Sequence, residues 1–172
     1  MGKADYKPFD IAAYPIKDVS SLHIGIIRTE WNDDIVSKLV SSSKEELGRL
    51  GISGSNIYEY SVPGSYELPM GAKMMLGSQI KADAVICLGC VIQGQTKHDD
   101  YINHTVARSI NQLSLVSGTP VIFGVLTVNS LDQALDRAGG SRGDKGIESA
   151  IAALKMISLK EQLANQKRRI SF

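Results

Sequence analysis

Apolar and polar positions along the chain alternate between two kinds of pattern. Consecutive apolar runs, typical of buried strands, occupy residues 22–27, 56–62, 84–88 and 121–126. Apolar residues at helical spacing occupy residues 35–50, 68–80, 102–116, 131–135 and 147–157. Asp33 or Asp34 can cap the first of these helices, which Gly51 ends, and Gly118 ends the third. The pattern therefore predicts four strands alternating with helices.

This alternation determines the predicted fold. Strands joined by helices over about 30 residues imply right-handed crossovers and a sheet covered on both faces. We predict an α/β three-layer sandwich, with a four-stranded, mostly parallel sheet flanked by helices as in flavodoxin-like folds. Residues 21–163 would form one domain, preceded by an arm at 1–20 and followed by a basic tail at 164–172.

Composition excludes several classes of protein. The 172 residues carry a formal net charge of +1, which argues against a nucleic-acid partner and against attraction to a membrane surface. The apolar runs are too short to span a bilayer, and residues 1–15 contain no signal-peptide core. The two cysteines fit a reducing compartment. We therefore expect a cytoplasmic protein.

The unusual residues fall where the predicted strands end. In parallel α/β sheets, ligands bind at the carboxyl ends of the strands. Four segments follow those ends here, namely residues 28–32, 63–67, 89–98 and 127–129. The topology therefore predicts that these four segments meet in one pocket.

Residues 89–98 form a polar, glycine-containing segment that we predict to be a loop leading into a helix. Backbone N–H groups at the helix start, together with the Thr96 hydroxyl, suit a phosphate group. His98 would lie in the first helical turn, where a histidine can transfer protons near neutral pH. An ordinary surface histidine beside a loop cap is the alternative, and the segment alone does not decide between them.

The turn at residues 62–69 and the residue Trp31 suggest contacts to an organic substrate. Two prolines and a glycine shape this turn, which presents Ser65 and Glu67 as partners for a polyol chain. A helix-start cap is the alternative role for Glu67. Trp31 can stack on a planar heterocycle, or it can belong to a core or an interface.

Two cationic side chains are further candidate site residues. Arg137 ends a short helix and can bind a phosphate through two parallel hydrogen bonds. Lys145 lies in a glycine-rich segment at residues 139–146, which we predict to be a loop. Neither residue is diagnostic alone, because most cations at such positions are solvated.

Cys87 and Cys90 form a Cys-x-x-Cys motif that suggests thiol redox chemistry or half of a zinc site. The chain has no second cysteine pair, and its histidines are not spaced from these cysteines as in zinc fingers. Cys87 also lies inside a predicted strand, whereas redox motifs usually cap a helix. We therefore predict no metal site and leave a thiol oxidoreductase as a competing hypothesis.

Five segments, taken together and in order, resemble the lumazine synthase family. They are residues 31–32, residues 62–69, residues 89–98 with Asp100 and Tyr101, residues 120–127 and residues 133–139. The resemblance covers residues 22–159. It implies condensation of 5-amino-6-(D-ribitylamino)uracil with 3,4-dihydroxy-2-butanone 4-phosphate to 6,7-dimethyl-8-ribityllumazine, the penultimate step of riboflavin biosynthesis. It implies no metal or redox cofactor.

The resemblance also implies residue roles. His98 would transfer protons, and Arg137 would be the main cationic partner of the sugar phosphate. Phe123 would be lent to the site by a neighbouring subunit. The residues implied in substrate binding are Trp31, Asn32, Ser65, Tyr66, Glu67, Cys90, Val91, Ile92, Gln95, Thr96, Phe123, Arg137 and Lys145.

Three positions depart from the family pattern. Asp99 replaces an aromatic residue, Gln93 a basic one, and Ser141 a frequent lysine. The first can change the orientation or basicity of His98.

The resemblance further implies a homo-oligomer, either a pentamer or a shell of twelve pentamers, and makes riboflavin synthase a candidate partner. Two other hypotheses stay open beside it and the thiol oxidoreductase. One is a flavodoxin-like module that binds a flavin or nucleotide without turnover, and the other is a shell protein that has lost catalysis.

Overall fold

The computed structural model of the chain describes residues 10–170, with side chains through residue 166. The strands β1 (Ile24–Thr29), β2 (Ile57–Val62), β3 (Ala84–Ile92) and β4 (Val121–Val128) form one sheet. Their order is β2-β1-β3-β4, and every pairing is parallel. The predicted α/β fold with a four-stranded parallel sheet is therefore confirmed.

Five helices follow or connect the strands. They are α1 (Asp33–Arg49), α2 (Leu68–Leu76), α3 (His98–Ser117), α4 (Leu131–Arg137) and α5 (Lys145–Ile170). Gly118 ends α3 in the left-handed conformation, with φ of 64°, as its position predicts.

Alternate residues of each strand point to opposite faces of the sheet, and each face has its own core. One core joins Ile26, Ile86 and Leu88 to α1, α4 and α5; we call this side the α1/α5 layer. The other joins Ile27 and Val85 to α2 and α3; we call this side the α2/α3 layer. The sheet therefore separates two helical layers, which is the predicted sandwich.

Two boundaries near the strand ends differ from the predictions. β3 continues to Ile92, so the predicted loop begins only after it, because residues 89–92 pair with residues 125–128 of β4. The residue that precedes α1 is Asn32 rather than Asp33 or Asp34, and it adopts a left-handed conformation with φ of 57°. Both aspartates lie instead in the first turn of the helix.

The predicted loop at residues 139–146 is wrong in detail. A short antiparallel hairpin forms from β5 (Ala138–Gly140) and β6 (Gly143–Asp144), and α5 begins directly after it. The Asp144 carboxylate accepts hydrogen bonds from the N–H groups of Gly146 at 2.8 Å and Ile147 at 3.2 Å, which caps α5. The backbone of α5 stays helical to Ile170, through most of the segment assigned to a tail.

The described part of the N-terminal arm packs on its own chain. Ile11, Tyr14, Ile16 and Val19 contact the core of the α1/α5 layer. The Lys17 N–H donates to the Glu161 carboxylate at 3.2 Å. Residues 1–9 lie outside the described residues.

Acidic side chains accompany the helix starts at the carboxyl edge of the sheet. They are Asp33 and Asp34 in α1, Glu67 in the single 3-10 turn before α2, Asp99 and Asp100 in α3, and Asp132 in α4. Carboxylates there stabilise the helices because each N-terminus carries partial positive charge. Within residues 10–170, no helix combines the length and apolarity needed to cross a bilayer.

Candidate functional site

The turn between β1 and α1, residues 30–32, presents an aromatic side chain to solvent; we call it the aromatic turn. Trp31 is 74% exposed, so the alternative of a core tryptophan is excluded. The Asn32 amide donates to the carbonyl of Cys90 at 2.8 Å, and the Thr29 hydroxyl donates to the carbonyl of Trp31 at 3.2 Å. Backbone and amide contacts therefore fix the turn, while the indole itself stays free.

The turn between β2 and α2 lies directly beside the aromatic turn. The N–H of Trp31 donates to the carbonyl of Pro63 at 3.4 Å, and a Cβ placed on Gly64 would lie 3.9 Å from the indole. The Glu67 carboxylate accepts the N–H of Gly64 at 3.1 Å, so Glu67 does cap this turn. Its side chain remains exposed, as does that of Tyr66.

Ser65 is the buried member of this turn. Its hydroxyl oxygen would lie only 3.0 Å from a Cβ at Gly89, where Thr29 is equally close at 3.1 Å. The absence of a side chain at position 89 therefore lets β1, β3 and the β2–α2 turn come together at this point. The site needs that glycine for close approach rather than for an unusual backbone angle.

The end of β3 and the polar loop that follows it form the next part of the site. Cys90 is buried, Val91 and Ile92 are half-buried, and Gln95 and Thr96 are exposed. The N–H of Gln93 donates to the carbonyl of Val128 at 2.8 Å, which ties this loop to the end of β4. The four strand ends therefore meet at one edge, as the topology predicts.

His98 is the first residue of α3, and its side chain is exposed. Its predicted place in the first helical turn is confirmed. Asp99, the departure beside it, is half-buried.

The two cysteines cannot act as a redox pair. Cys87 faces the α2/α3 layer, whereas Cys90 faces the α1/α5 layer. Cys90 is three positions further along the strand than Cys87, so their Cα atoms lie about 10 Å apart, which exceeds the reach of a disulfide. Burial raises the pKa of Cys87 to about 12 and that of Cys90 to about 11, so both stay protonated at neutral pH. The thiol oxidoreductase hypothesis is therefore wrong.

Among the described residues, no group of three or more His, Cys, Asp or Glu side chains could hold a metal ion.

Arg137 and Lys145 meet at an acid that the sequence analysis missed. One carboxylate oxygen of Glu148 lies 3.0 Å from Arg137 Nη2 and 3.4 Å from Lys145 Nζ. All three side chains are 28–29% exposed, and we call them the cationic cluster. The spacing of Lys145 and Glu148, three residues apart on a helix, could have revealed this contact.

The departure at Ser141 has a local structural role. Its hydroxyl donates to the Asp136 carboxylate at 3.0 Å, which ties the turn of the β5–β6 hairpin to α4.

Within one chain, the predicted site residues fall into separate groups. Trp31, Asn32, Ser65, Glu67 and Cys90 come together at the edge of the sheet. The cationic cluster belongs to the α1/α5 layer, through α4 and α5, whereas His98 begins α3 in the opposite layer. Phe123 is half-buried against the α2/α3 core, early in the edge strand β4 and away from its carboxyl end.

Comparisons with known proteins agree on one family. A sequence profile described as 6,7-dimethyl-8-ribityllumazine synthase matches residues 21–161. A protein of that name from Cytophaga hutchinsonii is 48% identical over 143 residues, 83% of this chain and 89% of its own. One from Flavobacterium johnsoniae is 44% identical, over 86% of this chain and 77% of its own. One from Phocaeicola vulgatus is 41% identical, over 95% of this chain and 96% of its own.

Proposed function

The chain belongs to the 6,7-dimethyl-8-ribityllumazine synthase family of riboflavin biosynthesis enzymes, and from this premise we propose the reaction that it catalyses. It condenses 5-amino-6-(D-ribitylamino)uracil with 3,4-dihydroxy-2-butanone 4-phosphate and releases phosphate and two molecules of water. The product is 6,7-dimethyl-8-ribityllumazine, and the step is the penultimate one of the pathway. The observation that carries the proposal is the exposed Trp31 beside the β2–α2 turn at the carboxyl edge of the sheet.

The pyrimidine side of the site is built on that edge. Trp31 stacks on the uracil ring, because an indole that is 74% exposed offers a flat apolar face. Ser65, Tyr66 and Glu67 bind the uracil and the ribityl hydroxyls. The backbone of residues 90–92 lines the ring; the Cys90 carbonyl already accepts the Asn32 amide, which supports a positioning role for Asn32.

The part of the site that binds the sugar phosphate consists of a loop and two cationic side chains. Gln95 and Thr96 are exposed directly before α3, where backbone N–H groups favour an anion. Arg137 supplies a planar guanidinium for the phosphate, and Lys145 lies beside it through their shared partner Glu148.

The chemistry needs proton transfer and departure of an anion rather than a strong nucleophile. The substrate amine attacks the ketone to form an imine with loss of one water, phosphate leaves by elimination, and the ribityl-bearing nitrogen then closes the ring with loss of a second water. His98 moves the protons of these steps. Holding the two substrates together lowers the barrier by several kcal/mol, with about 7–11 kcal/mol as the extreme.

We also propose that the site is shared between subunits of a pentamer, in which Phe123 of one chain reaches the site of its neighbour. The separation of the cationic cluster from His98 by the sheet supports this assembly. A hollow shell of twelve such pentamers, and association with riboflavin synthase, are further proposals. Sedimentation distinguishes the assembly sizes, and an active monomer would contradict the shared site.

Co-assembly of two impaired variants tests whether neighbouring chains share the site. His98→Ala and Arg137→Ala subunits, mixed equally during refolding, should regain activity in about a quarter of the sites if neighbouring chains contribute the two residues. No activity above that of the separate variants would place both residues in the same chain's site and reject this arrangement.

The first test of the reaction is lumazine formation, followed by its absorbance with the uncatalysed rate subtracted. We expect a clear excess rate, which falls in His98→Ala by up to about 10²-fold but does not vanish, since general acid–base catalysis is one contribution among several. No excess from assembled protein would reject the reaction. Complete loss of activity in folded His98→Ala would contradict the limited role of the histidine.

A further inference from the structure

An arginine that the proposed reaction does not use lies directly below the aromatic turn. Arg28 is the last residue but one of β1, in a strand whose preceding residues are isoleucines and a glycine. Its side chain is only 14% exposed and points to the α1/α5 layer. A buried charge is unfavourable unless it is paired and hydrogen-bonded, so its partners indicate why it is there.

Those partners lie on both sides of the turn. The guanidinium forms an ion pair with Asp33, the first residue of α1, and donates to the Ser37 hydroxyl at 3.2 Å one turn later. Its other terminal nitrogen, Nη1, lies 3.6 Å from the Glu59 carboxylate on β2, which also pairs with Lys44. Arg28 therefore ties the start of α1 to two strands of the sheet.

The geometry makes the Arg28–Asp33 pair a clamp across the aromatic turn. Only four residues separate Arg28 from Asp33, and Trp31 is one of them. Most of the Trp31 surface is free, so little packing of the indole itself restrains it. Backbone hydrogen bonds of Glu30 and Trp31 and the Asn32–Cys90 hydrogen bond set the path of the turn, and the clamp adds a side-chain restraint where the turn enters α1.

The Nε atom of Arg28 differs from the two terminal nitrogens of the guanidinium. It is buried and makes no hydrogen bond within the described residues, although Asp33, Ser37 and Glu59 occupy the terminal nitrogens. An unsatisfied buried donor carries a desolvation cost. A lysine would avoid it but would lose the planar two-sided contact.

We propose that Arg28 is a positioning residue, which acts through Asp33 to hold Trp31 in the orientation that stacks on the pyrimidine. This inference rests on the proposed function for the identity of the stacked ring, but not for the restraint on Trp31. Loss of the clamp should weaken binding of the pyrimidine and leave binding of the phosphate substrate unchanged.

Trp31 is the only tryptophan in the chain, so its fluorescence reports the turn without any ligand. The variants are Arg28→Met, Asp33→Asn and their double combination. Asp33 is 65% exposed at its side chain, so Asp33→Asn tests the clamp even if Arg28→Met does not fold. Arg49→Met is the matched control, because Arg49 forms an ion pair with Glu46 at the far end of α1, about 24 Å away along the helix.

Time-resolved anisotropy of Trp31 should show faster local motion in both clamp variants and no change in Arg49→Met. The KM for the ribitylaminouracil should rise about three- to tenfold, less than for loss of a direct charge-assisted contact because Arg28 acts only through Asp33, with the KM for the butanone phosphate within about twofold. The double variant should add little to either single one. Arg28→Lys should recover part of the anisotropy.

Unchanged Trp31 anisotropy in folded Asp33→Asn and Arg28→Met would overturn the proposal, whatever their activity. So would an equal rise in both KM values. Inactivity of the unaltered protein would reject the proposed reaction instead, and the anisotropy would still decide whether Arg28 restrains Trp31.

Discussion

The aromatic turn and the cationic cluster are held in place by different means. Backbone hydrogen bonds and the Asn32 amide fix the turn, and its functional side chain makes few contacts of its own. In the cluster, the functional side chains themselves are paired, since Arg137 and Lys145 both contact Glu148. A stacking surface is thus ready in the free chain, whereas the cations must share their carboxylate partner with an incoming phosphate. Changes to the backbone and to single side chains should therefore affect the two regions differently.

The largest expected effect is a loss of stability when the first turn of α5, which carries Lys145 and Glu148 of the cationic cluster, is displaced. A Cβ on Gly146 would overlap the Leu39 carbonyl and the Ser42 hydroxyl of α1, so Gly146→Ala must displace the first turn of α5. We expect a loss of about 3 kcal/mol or more in the free energy of unfolding, measured by urea denaturation.

Gly48→Ala, within α1, is the matched control for that substitution. A Cβ there meets nothing within 4 Å, and alanine should stabilise the helix by about 0.5–1 kcal/mol. Equal stability of Gly146→Ala and the unaltered protein would show that the contact between α5 and α1 is easily relaxed.

A smaller effect, on substrate binding, is expected when the Arg137 side chain is removed and the first turn of α5 stays in place. Arg137→Ala should raise the KM for the butanone phosphate about 10- to 100-fold, because a guanidinium–phosphate contact is charge-assisted. The KM for the pyrimidine should stay within about twofold, since Trp31 lies in the other region. Arg142→Ala serves as the control: Arg142 is 74% exposed at its side chain, and its 3.8 Å contact with Asp136 is weak. A matching rise in that control would mean that net charge, rather than Arg137 itself, governs phosphate binding.

The smallest expected effect is a pH dependence of stability that comes from Cys87, in the strand β3 that runs between the two regions. The unfolded Cys87 thiol ionises near its ordinary pKa of 9.0, whereas burial raises its folded pKa to about 12. Between these values only the unfolded chain loses the proton, so stability falls as pH rises, by about 1 kcal/mol per pH unit. Urea denaturation at about pH 9.5 and pH 10.5, both within this window, should show the slope; Cys90 contributes in the same direction, and Cys87→Ala should reduce the slope. An unaltered slope in that variant would assign the pH dependence to other groups.

Local sequence patterns determined most of the fold but little of the pairing between segments. The strand runs, the helical spacing and Gly118 were sufficient to predict the parallel sheet and the end of α3. The extension of β3 to Ile92 was not predictable, because it depends on pairing with residues 125–128 of another strand. Likewise, the contact of Arg28 with Glu59 depends on the register of β1 and β2, which no local pattern encodes.

The candidate site, like the fold, has features that the sequence predicts and contacts that it does not. The carboxyl-edge segments could be predicted from topology, and the first-turn position of His98 from its helix. That Glu67 caps its own turn and that Glu148 pairs with both cations are side-chain contacts, which required the three-dimensional structure.

The acids at the helix starts have a consequence for how substrates arrive. Partial positive charges of the helix N-termini converge on the carboxyl edge, but carboxylates at those starts offset them, and the whole chain carries only +1. We therefore expect a weak long-range field at this edge, so that an anionic substrate reaches the protein by diffusion with little electrostatic steering. Recognition of its charge then begins only at contact range, so kcat/KM should depend little on ionic strength.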